Sequence, residues 1–229
     1  MYKTNESFKK DDFLTKIVGF NCFNVSKLSS QTKFEKKGFY SYIFPYSKKN
    51  INTCQKLDFK YISSRVIFKH DKKIPKKSIS KIEYKITFNN KDLTINDFRE
   101  IIGVLSKTSR FYKDNNIRKY AKKIYKKWIY NSLFNRYADK LIIVKSRNNV
   151  IGFVSLKIFQ TDCIIDLIGV DEKYQNQGIG SYLLRKVIDQ FKQHNIYVGT
   201  EVENIQALNF YLKNNFKIYQ YKLIFHKHT

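Results

Sequence analysis

Apolar and polar positions alternate in two distinct manners along the chain, and the change falls near residue 80. Up to about residue 70 the chain is polar and aromatic, with short strand-like runs at residues 40–44 and 59–68. Residues 71–78 are charged and contain Pro75, one of only two prolines, which reads as an interdomain linker. Beyond it the pattern predicts a strand over 82–87 and a helix over 92–105 with Phe98, Ile101, Ile102 and Leu105 on one face. A polar loop follows at 106–115, then a helix over 117–134 with Ile117, Ala121, Ile124 and Trp128 on one stripe and a lysine-rich face opposite. Two strands at 141–144 and 150–156 form a hairpin through Ser146 to Asn149. An apolar strand at 163–170, a glycine-containing loop and a helix with Ile179, Leu183, Leu184, Val187, Ile188 and Phe191 in register come next. The chain then reads as a strand at 196–202, a short helix at 204–213 with Asn204 as N-cap, and a last strand or pair of strands from Phe216. Asn215 stands where a helix often ends on a left-handed residue.

Residues 52–70 align with residues 209–227, pairing Asn52 with Asn209, Lys56 with Lys213, Phe59 with Phe216, Arg65 with Lys222 and Phe68 with Phe225. Cys54 stands opposite Tyr211, and no glycine loop precedes the first copy. The division expected is therefore an N-terminal part, residues 1–78, and a second part, residues 79–229, that carries the chemistry.

The 229 residues suffice for one large domain or two small ones. A formal net charge of +25 raises nucleic acid or a membrane surface as partners, but the basic residues are spread along the whole chain and form no arm or stripe. The positive field suits anionic ligands such as nucleotide diphosphates. Cys22, Cys54 and Cys163 lie far apart, without disulfide or zinc spacing, and the four histidines form no ligand cluster, so no metal is expected. No run approaches the length of a membrane span and the N-terminus leads into no apolar signal region, so a soluble, cytoplasmic protein is expected.

The junction from Val170 to Ser181 is strand, polar loop and helix start in succession, and its two glycines expose backbone N–H groups at a helix N-terminus, where a phosphate fits. A Walker loop is excluded because no lysine follows either glycine. The dinucleotide fingerprint fails because Leu183 replaces its third glycine and seven residues separate the strand from Gly178. Gln175-x-x-Gly178-x-Gly180 instead resembles the pyrophosphate-binding signature of the GNAT superfamily of N-acetyltransferases. Downstream, Asn204-x-x-Ala207-x-x-Phe210-Tyr211-x-Lys213, closing on Phe216, resembles the family's second signature, departing only at Asn215 where the family has glycine.

This resemblance implies an α/β (α+β) fold, a mixed, mostly antiparallel twisted sheet flanked by helices, with the first half a degenerate GNAT-like copy. It implies acetyl-CoA as co-substrate, its pantetheine arm lying between two strands that splay apart. Carried over, Ile168, Gly169 and Val170 face the arm and thioester, and Gln175, Asn176, Gln177, Gly178, Ile179, Gly180 and Ser181 hold the pyrophosphate. Asn204 touches the arm, and Tyr211 points at the sulfur. A tyrosine with pKa near 10 is a competent acid for a thiolate whose own value is near 8.5. Asp166, Glu201 and Glu203 occupy suitable strands, but the sequence singles out no base.

Ser109-Arg110-Phe111, Lys126-Lys127-Trp128-Ile129 and the 151–156 strand also resemble the dTDP-fucosamine (dTDP-4-amino-4,6-dideoxy-D-galactose) N-acetyltransferases of surface-polysaccharide synthesis. That resemblance places Ser109 and Arg110 over a nucleotide-linked amino sugar, with Arg110 beside the diphosphate. Alternatives left open are a GNAT enzyme acting on a peptide or polyamine and a non-catalytic acyl-CoA or nucleic-acid binding module. A homodimer is left open as well.

Overall fold

The computed structural model describes residues 7–72, 85–87 and 93–229. Most of the expected linker, the first half of the 82–87 strand and the first residue of the 92–105 helix lie outside the described residues. The elements in chain order are β1 (Phe8–Lys10), α1 (Asp12–Val18), β2 (Cys22–Val25), β3 (Phe39–Pro45), α2 (Lys48–Lys56), β4 (Lys60–His70), β5 (Lys85–Thr87), α3 (Arg99–Lys107), α4 (Arg110–Lys113), α5 (Ala121–Phe134), β6 (Lys140–Ser146), β7 (Asn149–Ile158), β8 (Asp162–Val170), α6 (Ile179–Gln190), β9 (Asn195–Glu201), α7 (Ile205–Lys213) and β10 (Phe216–His228).

The ten strands form one sheet in the order β1-β2-β3-β10-β4-β9-β8-β7-β6-β5. All neighbours are antiparallel except β2 with β3 and β8 with β9. Side chains alternate across a strand, and β6 shows the two layers: Ile142 and Val144 pack with Leu183, Leu184 and Val187 of α6, whereas Ile143 packs with Ile101 and Ile102 of α3 and Ile129 and Leu133 of α5. Thus α6 and α7 cover one face and α3 and α5 the other. A third core joins Leu14 and Ile17 of α1 to Ala121 and Ile124 of α5. The N-terminal strands close on an aromatic cluster in which Tyr40, fully buried, stacks on Phe23 at 5.0 Å and meets Phe34 edge-on at 4.9 Å.

Several expected elements differ in extent. The helix expected over 92–105 opens as a single 3-10 turn, Ile95–Phe98, because the Asp97 carboxylate accepts the Thr94 N–H at 2.7 Å, and α3 then runs on to Lys107. The polar loop at 106–115 contains α4, which Ser109 caps by accepting the Tyr112 N–H at 3.3 Å. The final segment is one long strand, β10, whose pairing with β4 skips Tyr219.

Strands β4 and β10 lie side by side, and each is flanked by the strand that leads into the other's helix: β3 lies beside β10, and β9 beside β4. Arg65 and Lys222, equivalent in the sequence repeat, are direct cross-strand partners. A local two-fold axis therefore passes between them.

Candidate active site

Parallel pairing of β8 with β9 runs from Asp162/Asn195 to Ile165/Val198 and stops, although the strands continue to Val170 and Glu201. The divergence begins at a bulge. Leu156 pairs with Ile165 and Ser155 with Leu167, leaving Asp166 as the extra residue on β8. The Ser155 hydroxyl accepts the Leu167 N–H at 3.1 Å and holds the bulge in place. The extra residue reverses which face the strand's side chains take. Ile165 packs under α6, but Leu167 packs with the α3 layer, and a Cβ on Gly169 would come within 2.6 Å of Ile101. The Asp171 N–H donates to the Ile151 carbonyl at 2.9 Å, which fixes the hydrogen-bonding phase. In that phase the backbone N–H and C=O groups of Ile168 and Val170 point away from β7, into the gap.

The gap opens through the sheet as a cavity of about 100 Å³ walled by both helical layers. Tyr211, Ala207 and Asn204 reach it from α7, Phe111 and Arg110 from α4, Tyr125 and Trp128 from α5, and Arg65 from β4. Tyr211 is 4% exposed, and burial pushes its pKa above the ordinary value of 10, with Arg65 opposing and Glu201 adding to the rise. Its hydroxyl therefore stays protonated. Asp166, the bulged residue, accepts a hydrogen bond from Trp128 Nε1 at 2.8 Å, and burial raises its pKa although that bond, Lys157 and Arg65 pull it down. Glu201, 9% exposed, stands directly across from Arg65 in the β4–β9 ladder. Glu203 is engaged elsewhere, accepting from Ser63 at 2.7 Å and pairing with Lys113. The Arg65 guanidinium lies over Gly199, where a Cβ would come within 2.7 Å of its Nε. Tyr125, between Ser109 and Glu201, is pushed up to about 12 by burial.

The loop after β8 is built from backbone. Asp171 caps a 3-10 turn, Glu172–Tyr174, Asn176 has φ 61° and Gly178, at the N-cap of α6, has φ 83°. No side chain caps α6, so its first N–H groups, from Ile179 to Ser181, are open to an anion. Gly180 admits Phe210 of α7, whose ring would lie 3.0 Å from a Cβ there. Gln175 supports the loop, donating to the Val170 carbonyl at 3.2 Å and accepting from Gln206 at 2.9 Å. Asn176 and Gln177 are exposed, and Gln177 folds back to donate to the Lys173 carbonyl at 3.1 Å. Asn204 caps α7, accepting the Ala207 N–H at 3.1 Å, and Asn215 is left-handed at φ 65°.

The structure thus gathers Ile168, Asn204, Tyr211 and Arg110 around one cavity, with the glycine loop beyond α7's first turn. Ser109 is placed differently: it is 1% exposed, and its hydroxyl donates to the Ser106 carbonyl at 2.7 Å while capping α4. Sequence reasoning missed Arg65, Tyr125 and the bond from Trp128 to Asp166, although Asp166 was among the three acids on suitable strands. For Asp166 a signal existed, a lone acid within an apolar strand. All three cysteines are buried, with thiols pushed up to about 12 by burial, and none lines the cavity. Among the described residues no cluster of histidine, cysteine, aspartate or glutamate could hold a metal ion, and no helix is long and apolar enough to cross a membrane.

Comparison with known proteins agrees with this geometry. Residues 105–216 match the sequence profile of the Acetyltransferase (GNAT) family, and the chain carries an acetyltransferase domain of that family. It is 29% identical over 122 residues, 52% of its length, to the spore coat polysaccharide biosynthesis protein SpsD of Bacillus subtilis (strain 168), spanning 42% of that relative. Among solved structures, a conserved protein of unknown function from Staphylococcus epidermidis ATCC 12228 aligns with a TM-score of 0.67 at 17% identity, over 100% of this chain and 94% of the other. A GCN5-related N-acetyltransferase from Sphaerobacter thermophilus aligns with a TM-score of 0.59 at 10% identity, over 84% of this chain and 60% of the other. At these identities the two structures bear on the fold alone.

Proposed function

We propose that this protein transfers the acetyl group of acetyl-CoA to the amine of a nucleotide-linked deoxyamino sugar, such as dTDP-4-amino-4,6-dideoxygalactose, in the cytoplasm and for surface-polysaccharide synthesis. The observation that carries the reading is the gap between β8 and β9, where a buried tyrosine, a buried and a half-buried carboxylate and free backbone N–H groups meet through the sheet. The polysaccharide role printed in the name of the B. subtilis relative supports the choice of acceptor. We read residues 1–78 as a degenerate GNAT-like copy and residues 79–229 as the catalytic part.

Acetyl-CoA supplies a thioester activated toward an amine. The open N–H groups of α6 and the bare backbone at Gly178 and Gly180 suit its pyrophosphate, and the cleft between β8 and β9 suits the pantetheine arm. The Ile168 and Val170 N–H groups, pointing into the gap, stabilise negative charge on the acetyl oxygen as the amine adds. Tyr211, protonated because it is buried, donates its proton to the departing sulfur. The amine must be neutral to attack. Asp166, whose raised pKa brings it closer to neutrality, and Glu201 are the carboxylates placed to take its proton. With every thiol buried away from the cavity, direct transfer fits better than a covalent acyl-cysteine.

The test is mass spectrometry of the protein incubated with acetyl-CoA and a panel of dTDP- and UDP-linked 3-amino and 4-amino deoxysugars, beside a peptide and a polyamine. One acetylated sugar nucleotide is expected. Acetylation of the peptide or the polyamine alone would overturn the choice of acceptor.

A further inference from the structure

Arg65 and Arg110 line the same cavity, one from β4 in the N-terminal part and one from α4. Each is close enough to matter to the other: Arg65 helps burial depress the Arg110 pKa below its ordinary value. Among the described residues neither guanidinium lies within ion-pair distance of a carboxylate, and Arg110 Nε is buried without any hydrogen-bond partner. Packing alone fixes the Arg110 plane, with its carbon 4.4 Å from the centre of the Phe111 ring.

Two like charges that line one cavity repel, and the unmet Arg110 donor buried there adds a desolvation penalty. The acids nearby compensate incompletely. Glu201 is buried beside both arginines and Asp166 lines the same cavity, tied to Trp128 at 2.8 Å, yet neither carboxylate reaches ion-pair distance of a guanidinium. Of the other acids, Asp11 caps α1 by accepting the Leu14 N–H, and Asp114 is bound by His226 at 2.7 Å and His228 at 2.9 Å. Two guanidiniums without a bound carboxylate, one of them carrying an unfilled donor, line one cavity and so fit an oxyanion.

We propose that Arg65 and Arg110 form a paired-guanidinium seat for an oxyanion carried by the acceptor, phosphoryl or carboxylate, so that the enzyme's preferred amine is itself an anion. The inference rests on the acetyl-transfer reading and names the two side chains that hold the acceptor's charge. It also gives the N-terminal part a place in acceptor recognition, because Arg65 lies outside the segment matched to the family profile. The seat lies on the α3 and α5 face, with Arg65 on the side of β4 opposite Val66, which packs under the α6 layer.

The experiment uses the full chain with saturating acetyl-CoA and three sets of amino sugars differing in one group: neutral, phosphorylated or nucleotide-linked at the anomeric position, and bearing a carboxylate. The readout is the ratio of kcat/KM for each anionic amine to that for its neutral counterpart. A preference of about 100-fold or more for one anionic set is expected from two charge-assisted contacts, and which set wins identifies the anion. Arg65→Gln and Arg110→Gln should each lower that ratio by about tenfold or more, with acetyl-CoA affinity kept as the check on folding, and Arg65→Lys should restore part of it. Equal use of neutral and anionic amines, or an unchanged ratio in both variants, overturns the seat while leaving acetyl transfer intact. Loss of acetyl-CoA binding in the wild type would instead remove the acetyl-transfer reading. If no amine in the panel is acetylated, thermal stabilisation of the CoA-loaded protein by inorganic phosphate and by acetate decides the matter. Stabilisation by either anion that Arg65→Gln abolishes supports the seat; no stabilisation, or stabilisation equal in wild type and variant, overturns it.

Discussion

Helix α2 with strand β4, on one side of the local two-fold, and helix α7 with strand β10, on the other, share their local devices residue by residue. Ser47 caps α2 by accepting from the Asn50 N–H, as Asn204 caps α7 by accepting from the Ala207 N–H. Asp58 and Asn215 both end their helices at positive φ, and Phe59 and Phe216, each buried, start the strands. Each unit is led in by a strand that pairs in parallel with its outer neighbour, β3 with β2 and β9 with β8. The units differ in what feeds those parallel pairs. Between β8 and β9 the chain inserts the glycine loop and α6, whereas residues 26–38, between β2 and β3, contain no helix. Where Tyr211 points into a cavity, Cys54 sits wholly buried in an aromatic core. The two units share these local devices, and the cavity opens at the parallel pair that has a bulge, a splay and an uncapped helix.

The comparison breaks most visibly if the units can be separated. A fragment of residues 79–229 leaves β9 without β4 and β10 without both neighbours, so it is expected to be unfolded by circular dichroism and amide exchange; a cooperative native fold would sink the idea of one interlocked sheet. The next largest effect concerns the loop. Gly178→Asp places a side chain at φ 83° and a negative charge at the helix N-terminus, and should weaken acetyl-CoA by about 100-fold or more in calorimetry. Gly19→Ala, at φ 86° in the N-terminal part, is the matched control. It should lower stability by about 1 kcal/mol and leave acetyl-CoA affinity alone.

Third, Tyr211→Phe should lower kcat by about 100-fold with little change in KM for acetyl-CoA, the signature of a lost general acid. The equivalent Cys54→Ala should leave kcat unchanged and reduce stability by about 1 kcal/mol through a small cavity. Equal kcat losses in both would erase the functional distinction between the units.

A further effect lies where the units meet. His226 of β10, wholly buried, binds Asp114 and is depressed by burial to about 4 from its ordinary 6.5. The unfolded chain takes up this proton below about pH 6.5 and the folded chain refuses it until about pH 4, so stability falls with pH across that window by on the order of 3 kcal/mol. Asp114, held ionised by the two histidines, loses its share at still lower pH. Urea titrations from pH 7 to 4 measure the slope; His226→Leu should flatten it, and an equal slope in that variant would place the pH dependence elsewhere.

Much of this was legible in the chain because it is local. The helix stripes, the Asn204 cap, the left-handed Asn215 and the loop from Gln175 to Ser181 depend on neighbours within a few residues, and the structure shows each of these features. The bulge at Asp166 was not legible, because it is defined by which residue of β7 stands opposite. Arg65 was hidden for the same reason: its place depends on pairing with Glu201, far along the chain, and nothing near it in sequence sets it apart from other strand arginines. Burial of Ser109 likewise comes from the return of the chain as α4, where polarity alone suggested an open loop.

The position of β10 between β3 and β4 has a consequence for how the protein is made. On the ribosome the N-terminal strands emerge first, and β3 and β4 then have no strand to join them until the segment from Phe216 to His228 has been translated. Until then β4 presents an open edge rich in Tyr, Ile, Val and Phe, which invites pairing with other chains. Synthesis of this protein should therefore depend on holding the nascent first half apart from its neighbours until its last strand arrives.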